Sequence, residues 1–261
     1  MEKISVLMTV YNASEMLDKS IKAILNQTYT NFEFVIINDG SIDMSGEIIE
    51  KYAKEDIRII FVNRTENKGR VYSLNEGLDL CSGKWIAIND ADDVSDIYRL
   101  EKVAAFITGN NIADKFGIVG SASRTKDIIG GNEKNNYIKY GTIGKKRIAK
   151  FRLLYSMPFI HSSFVYNIEA LHAIEGFPKE VTSLIDFFAL VKISNIYPIY
   201  GINDILVDRY IDGNNFFLKR EMKPHIQRNM KIIDMWESEN YKGYFFFKKV
   251  KTILSLLKKK Q

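Results

Sequence analysis

The chain has 261 residues, 46% hydrophobic and 26% charged, with one cysteine and three histidines. That is the length of one large domain or two closely packed ones with ordinary globular composition, and it excludes a disordered or collagen-like chain, an internal disulfide framework and a Cys/His zinc site. The net charge of +5 is unevenly placed: residues 242–261 hold seven lysines and no acid, and the rest is slightly acidic, which argues against nucleic acid and for a local anionic partner.

Four short β-branched runs, Ile4–Val10, Phe32–Ile37, Arg58–Val62 and Lys84–Ile88, are separated by helical patterns. Leu17, Ile21, Ile24 and Leu25 fall on one helix face, and so do Ile48, Ile49, Tyr52 and Ala53 in the next interval. Val71, Leu74 and Leu78 mark a third helix, and Leu100, Val103, Ala104 and Ile107 a fourth. Strands that are apolar throughout and alternate with helices predict an α/β fold, a mostly parallel sheet covered on both faces.

Residues 125–147, with Gly130-Gly131, several asparagines, Gly141 and Gly144, read as a long functional loop. Beyond it the pattern predicts a strand near Ser162–Tyr166, helices near Ile168–Ile174 and Ile185–Ile193, and a strand near Ile205–Tyr210. Past Phe216 it reads as helix to the end. No apolar run approaches the roughly 20 residues that span a bilayer. The opening Met1-Glu2-Lys3-Ile4 carries no leader pattern, so a cytoplasmic protein is expected.

In an open parallel sheet, ligands bind beyond the carboxyl ends of the strands. Those ends carry Thr9-Val10-Tyr11-Asn12, Asn38-Asp39-Gly40-Ser41, Asn63-Arg64, and Asn89-Asp90-Ala91-Asp92-Asp93. The second is also a good turn and helix cap. The fourth places three carboxylates within four residues. Such groups repel one another unless they share a hard divalent cation such as Mg²⁺ or Mn²⁺; an acidic helix start is the plainer alternative. Neither the dinucleotide nor the P-loop glycine motif occurs.

Taken in order, these segments resemble the inverting, metal-dependent glycosyltransferases of the GT-A fold, family two type. Ser5–Asn12 resembles the opening strand of that family, and Phe34–Ser41 with Asp43 resembles its nucleoside-binding strand and turn. Asn67-Lys68-Gly69 with Ser73–Leu78 is similar to the helix that follows. Gly83–Ala87 leading into Asp90–Asp93, continued by Arg99–Lys102, is similar to the metal-binding Asp-x-Asp region. The resemblance implies a Rossmann-like nucleotide-sugar-binding half over 1–105, an acceptor-binding half over 106–215, and a basic helical extension over 216–261.

It also implies roles. Asp39 would meet the base of the donor, most often uracil, beside Thr9, Val10, Tyr11 and Asn12, with Asn67 also on the donor. Asp90 and Asp92 would flank ribose and diphosphate, and Asp92 or Asp93 would hold the metal. In the second half, His161–Tyr166 resembles the segment entering the acceptor region, and Glu175-Gly176-Phe177 resembles a Gly-Gly-Phe turn. Asp186 matches the aspartate of a Glu-Asp pair that supplies the catalytic base, with Ile185 in place of the glutamate. Helix capping is the plainer use of such a residue. Asp208–Asn215 resembles a Tyr-Arg-x-His-x-x-Asn region in which Arg209 would reach the donor diphosphate and Asp212 replaces histidine. His172, His225, Cys81 and Trp85 read as structural.

The tail from Tyr241 to Lys260 mixes aromatics, aliphatics and lysines, which suits the anionic inner face of the cell membrane; a helix packed on the body is the alternative. The expectation is therefore an inverting transferase that moves a sugar from a nucleotide-sugar donor, UDP-linked, to a glycan or glycolipid acceptor in polysaccharide biosynthesis. A sugar nucleotidyltransferase is one rival, although Thr9–Ser14 lacks the glycine-rich basic loop of that class. A non-catalytic nucleotide-sugar-binding membrane scaffold is the other.

Overall fold

The computed structural model describes residues 2–136, 157–181 and 184–211. The four apolar runs form β1 (Ile4–Val10), β2 (Phe32–Asn38), β3 (Ile59–Asn63) and β4 (Trp85–Ile88). They lie in the order β3-β2-β1-β4, every pair parallel. Parallel neighbours need long crossovers, supplied by α1 (Ser14–Leu25), α2 (Ser45–Glu55) and α3 (Arg70–Leu80).

Alternation along the strands sorts their side chains into two buried layers. Val6, Met8 and Val10 of β1 pack with Leu17, Ile21 and Ile24 of α1 on one face. Leu7 points the other way, against Leu74 and Leu78 of α3. Trp85 is fully buried, edge-on to Phe116 with ring centroids 6.2 Å apart. Cys81 is only half-buried, less than the sequence suggests.

Beyond β4 the sheet becomes mixed. The later elements are β5 (Asp93–Ser95), α4 (Arg99–Gly109), β6 (Ile118–Asp127), β7 (Glu133–Asn136), a 3₁₀ turn (His161–Ser163), β8 (Val165–Asn167), α5 (Ile168–His172), α6 (Ile185–Ile196) and β9 (Ile199–Ile211). The path continues β4-β8-β6-β9-β5, with β7 paired to β6. Strand β8 is antiparallel to both neighbours, while β6 and β9 run parallel.

Three expectations change here. Residues 125–127 end β6 and residues 133–136 form its antiparallel partner β7, with Lys126 opposite Glu133, so that only 128–132 between them is turn. Their polar, mostly exposed side chains gave no strand signal. The first part of the expected 162–166 strand is the 3₁₀ turn, and β9 starts six residues earlier than the pattern suggests, at Ile199. Residues 137–147, Asp212 and the basic tail lie outside the described residues.

At the end of the sheet away from the acidic loops, Glu33 is 6% exposed. It accepts from Ser5 Oγ at 2.5 Å, from the Ser82 amide at 2.6 Å, and pairs with Lys3 at 2.5 Å. Burial pushes its pKa up, but Lys3, Ser5 and Ser82 together outweigh that and bring it down to about 2. A depressed carboxyl stabilises the fold above its unfolded pKa, and this contribution disappears as pH falls through the folded value. Glu33→Gln is expected to cost about 3 kcal/mol at neutral pH and almost nothing near pH 2. Urea unfolding of both proteins across that range measures the difference.

Asn75 of α3 clamps the 175–177 turn: its amide nitrogen donates to Phe177 O at 3.0 Å and its oxygen accepts from Phe177 N at 2.9 Å. Glu175 in that turn has φ +62°, which costs a non-glycine residue about 1–2 kcal/mol. Part of this would be offset by the greater unfolded-state freedom of glycine. Glu175→Gly is expected to stabilise the protein by about 0.5–1 kcal/mol, read as a rise in Tm.

Candidate functional site

One open cavity of about 1940 Å³ lies beyond the carboxyl ends of β1, β2 and β4. Every residue that the resemblance gives a donor, metal or catalytic role borders it: Thr9, Val10, Tyr11, Asn12, Asp39 and Asn67, then Asp90, Asp92 and Asp93, then Asp186 and Arg209.

Asp39, just past β2, is 3% exposed. Its Oδ1 accepts from Arg64 Nη1 at 2.7 Å and from the Lys68 amide at 2.9 Å, and Oδ2 from the Gly69 amide at 2.9 Å. A carboxylate offers about four acceptor positions, so one remains. Arg64 also donates to Ser73 Oγ at 2.9 Å, pairs with Glu76, and stands 4.7 Å from the Tyr72 ring. Gly40 follows with φ +70°, and a Cβ there would come within 2.5 Å of the Glu66 backbone. Only glycine lets the 64–69 segment close over Asp39.

Tyr11 is exposed. Asn12, at φ +51°, ties β1 to the neighbouring turn: its Oδ1 accepts from the Ile42 amide at 2.9 Å and its own amide donates to Ser41 Oγ at 3.0 Å. Asp43 accepts from the Ser14 and Ser45 amides, each at 3.0 Å. Burial pushes its pKa up, but these bonds prevail and hold it at about 2.

The acidic loop after β4 is fixed from beneath. Asn89 Nδ2 donates to the carbonyls of Asp90 at 2.9 Å and Asp93 at 3.2 Å, and its Oδ1 accepts from Ser95 Oγ at 2.7 Å. Ser20 of α1 donates to those same carbonyls. Arg99, fully buried, donates to Ser95 Oγ and the Ile88 carbonyl, each at 2.9 Å. Burial lowers its pKa to about 10 despite the fields of Asp93 and Asp90. Ser162 reaches across from the 3₁₀ turn: it accepts from the Asp90 amide at 3.1 Å and donates to Asp93.

One carboxylate oxygen from each of Asp90, Asp92 and Asp93 falls within 4.8 Å of the others. Asp92 is exposed and Asp93 buried. Burial, then repulsion from Asp92 and Asp90, pushes Asp93 well above the usual carboxylate range. Burial and Asp90 push Asp92 up as well. Asp90 goes the other way: burial opposes its charge, but the Arg70 guanidinium holds its pKa below the ordinary value. Asp93 also lies opposite Arg209 in the antiparallel β5–β9 pair.

Asp186 occupies the first turn of α6, after Leu184 at φ +57°. Leu184 takes the capping position, so Asp186 is not a simple N-cap. The Ile185 side chain is 5% exposed and belongs to the apolar core. The position where the family resemblance leads one to expect glutamate is thus packed in the apolar core, at the edge of the cavity that Asp186 also lines.

Two site residues escape the sequence reading. Arg70, the first residue of α3, pairs with Asp90, and the same guanidinium nitrogen lies 3.0 Å from His161 Nδ1. His161 has the acceptor-segment motif as its only signal; Arg70 has none.

Two solved structures share the fold. Residues 1–349 of TarS from S. aureus, in complex with UDP-GlcNAc, superimpose with a TM-score of 0.71 at 19% identity, covering 88% of this chain and 65% of that one. A mannosyltransferase from Pyrobaculum calidifontis, in complex with GDP-Man and Mn²⁺, gives 0.67 at 20% identity, covering 88% and 64%. Both likenesses define the class of fold, the GT-A type. Residues 5–174 match the family described as Glycosyl transferase family 2, and the chain belongs to that family. An uncharacterized glycosyltransferase of Methanocaldococcus jannaschii is 30% identical over 241 residues, 91% of this chain and 81% of the relative. The chain spans only 42% of the length of a Haemophilus influenzae relative that it matches at 37% identity.

Proposed function

We propose that this chain is an inverting glycosyltransferase that moves a sugar from a UDP-linked donor to a hydroxyl of a cell-surface glycan or lipid-linked acceptor. The observation that carries this reading is the placing of Asp186, from the second half of the chain, on the same cavity as Asp39 and the Asp90–Asp93 cluster. Asp39 takes the base, with Thr9, Val10, Tyr11, Asn12 and Asn67 around the nucleoside. Asp90 and Asp92 flank ribose and diphosphate, and Arg209 reaches the diphosphate.

The donor set fits Mg²⁺ or Mn²⁺: three converging carboxylate oxygens, two of them on groups whose charge is disfavoured without a cation. Asp92 and Asp93 would hold the ion, and when bound it supplies positive charge to the leaving diphosphate. The protein residues do the rest. Asp186 takes the proton of the acceptor hydroxyl, and the oxygen attacks the anomeric carbon from the face opposite the diphosphate. The bond from that carbon to the phosphate oxygen breaks, its electron pair leaves with the nucleoside diphosphate, and the anomeric configuration inverts.

The acceptor and the place of work rest on composition. The lysine-rich tail suits an anionic membrane surface, which would hold the enzyme peripherally on the cytoplasmic face. Among the described residues no helix is long and apolar enough to cross a membrane.

Screening nucleotide sugars for thermal stabilisation with and without Mn²⁺, followed by product analysis, tests the proposal. UDP release with sugar transfer supports it. Pyrophosphate release from a nucleoside triphosphate would identify a nucleotidyltransferase, and donor binding without turnover, even toward water, a scaffold.

A further inference from the structure

His161 is 8% exposed and sits in an aromatic box, its ring centroid 5.7 Å from Phe164 and 6.3 Å from both Tyr166 and Phe177. Packing alone would be served by phenylalanine. What histidine adds is Nδ1, 3.0 Å from Arg70. A guanidinium only donates, so Nδ1 accepts and the ring proton resides on Nε2. That Nε2 has no partner among the described residues. Burial and the Arg70 charge lower the pKa of His161, in keeping with a neutral ring.

The Arg70 nitrogen that meets His161 also donates to Asp90. Two fixed partners, one just past β4 and one from the 3₁₀ turn, therefore orient the guanidinium. Its side chain is still 44% exposed, and it lines the cavity, so other N–H groups of its five face the open space. Burial works against its charge, but Asp90, Asp186 and Asp92 all favour it and raise its pKa. The guanidinium borders the same cavity as Asp92 and Asp93, the proposed diphosphate end, and Asp186, the proposed base.

We infer that Arg70 is a direct contact for the transferred sugar, donating to its hydroxyl or amide oxygens, and that His161 is the positioning residue that aims it. This rests on the nucleotide-sugar reading above. In that reading the diphosphate lies at Asp92 and Asp93 and the acceptor hydroxyl at Asp186, so the group between them is the sugar itself. The ligand class is the hexose or N-acetylhexosamine moiety of the donor, not its nucleotide.

The test compares affinities for UDP with those for UDP-glucose and UDP-N-acetylglucosamine, all with Mn²⁺, by calorimetry. Arg70→Met is expected to weaken the better-bound UDP-sugar about tenfold more than it weakens UDP, the effect of losing one charged hydrogen bond to the sugar beyond the loss both ligands share through Asp90. Arg70→Lys, which keeps the charge but not the fork, should lose less. His161→Phe should weaken the UDP-sugar in the same direction and add nothing when Arg70 is already Met; a purely structural role would make the two losses add. Equal losses for UDP and UDP-sugar, or none for either, overturn the inference while leaving the nucleotide reading intact. Wild-type protein that binds neither UDP nor a UDP-sugar overturns that reading, and the inference with it.

Discussion

Asp186→Asn is expected to abolish sugar transfer while leaving nucleotide binding unchanged. General-base catalysis contributes about 10²–10⁴-fold, so turnover should fall by at least about 10²-fold. Asparagine keeps the size of the side chain and its place in the first turn of α6 but cannot accept the proton. A negative charge in the first turn of a helix is favourable, so the proposed base and its position on α6 suit each other. The neighbouring Ile185 is buried in the apolar core, so replacing it should lower stability first. Single-turnover rates and the UDP affinity of the Asp186 variant separate chemistry from binding. Wild-type turnover would remove Asp186 from the mechanism.

Legibility in the sequence followed the range of the interaction involved. Strands β1, β2 and β4 are buried on both faces and the edge strand β3 in part, so their apolar runs carried a clear signal, and the acids at their carboxyl ends followed from the parallel topology. Strand β5 is three residues long and begins at Asp93, inside the acidic run. The second half of β6 is polar, and its partner β7 is Glu-Lys-Asn-Asn, which no periodicity distinguishes from loop. The contacts that orient the site are longer in range. Arg64 reaches Asp39 across 25 positions, and Arg70 reaches His161 across 91. No local pattern encodes such a pair, because each partner is set by where the sheet brings distant loops together. Ile185 is the reverse case: the sequence marked it as a departure, and the structure packs it into the apolar core at the edge of the cavity.

Asp92→Asn should separate stability from function with opposite signs. Asp92 is the exposed member of the triad, and the bonds from Asn89, Ser20 and Ser162 that fix the loop go to Asp90 and Asp93, so these remain when the Asp92 carboxylate is replaced. Without a cation, removing one of three crowded carboxylates relieves repulsion. The gain should be on the order of 0.5 kcal/mol, about 1–2 °C in Tm for a chain of this size. The wild type should show the matching pH dependence. Carboxyls whose folded pKa is raised favour the fold below their unfolded pKa, and that stability is lost as pH rises through the folded value; this value is raised for Asp92 and raised well above the ordinary one for Asp93. Mn²⁺ should restore the loss in the wild type and do much less in the variant. Transfer should meanwhile fall by at least about 10²-fold, as when one electrostatic stabiliser of a leaving group is removed, together with Mn²⁺-dependent UDP binding. Melting curves at several pH values, with and without Mn²⁺, follow the stability effect, and transfer assays on the same two proteins follow the other. An Asp92 variant that keeps its Mn²⁺-dependent UDP affinity would show that the cation, if used, is held elsewhere.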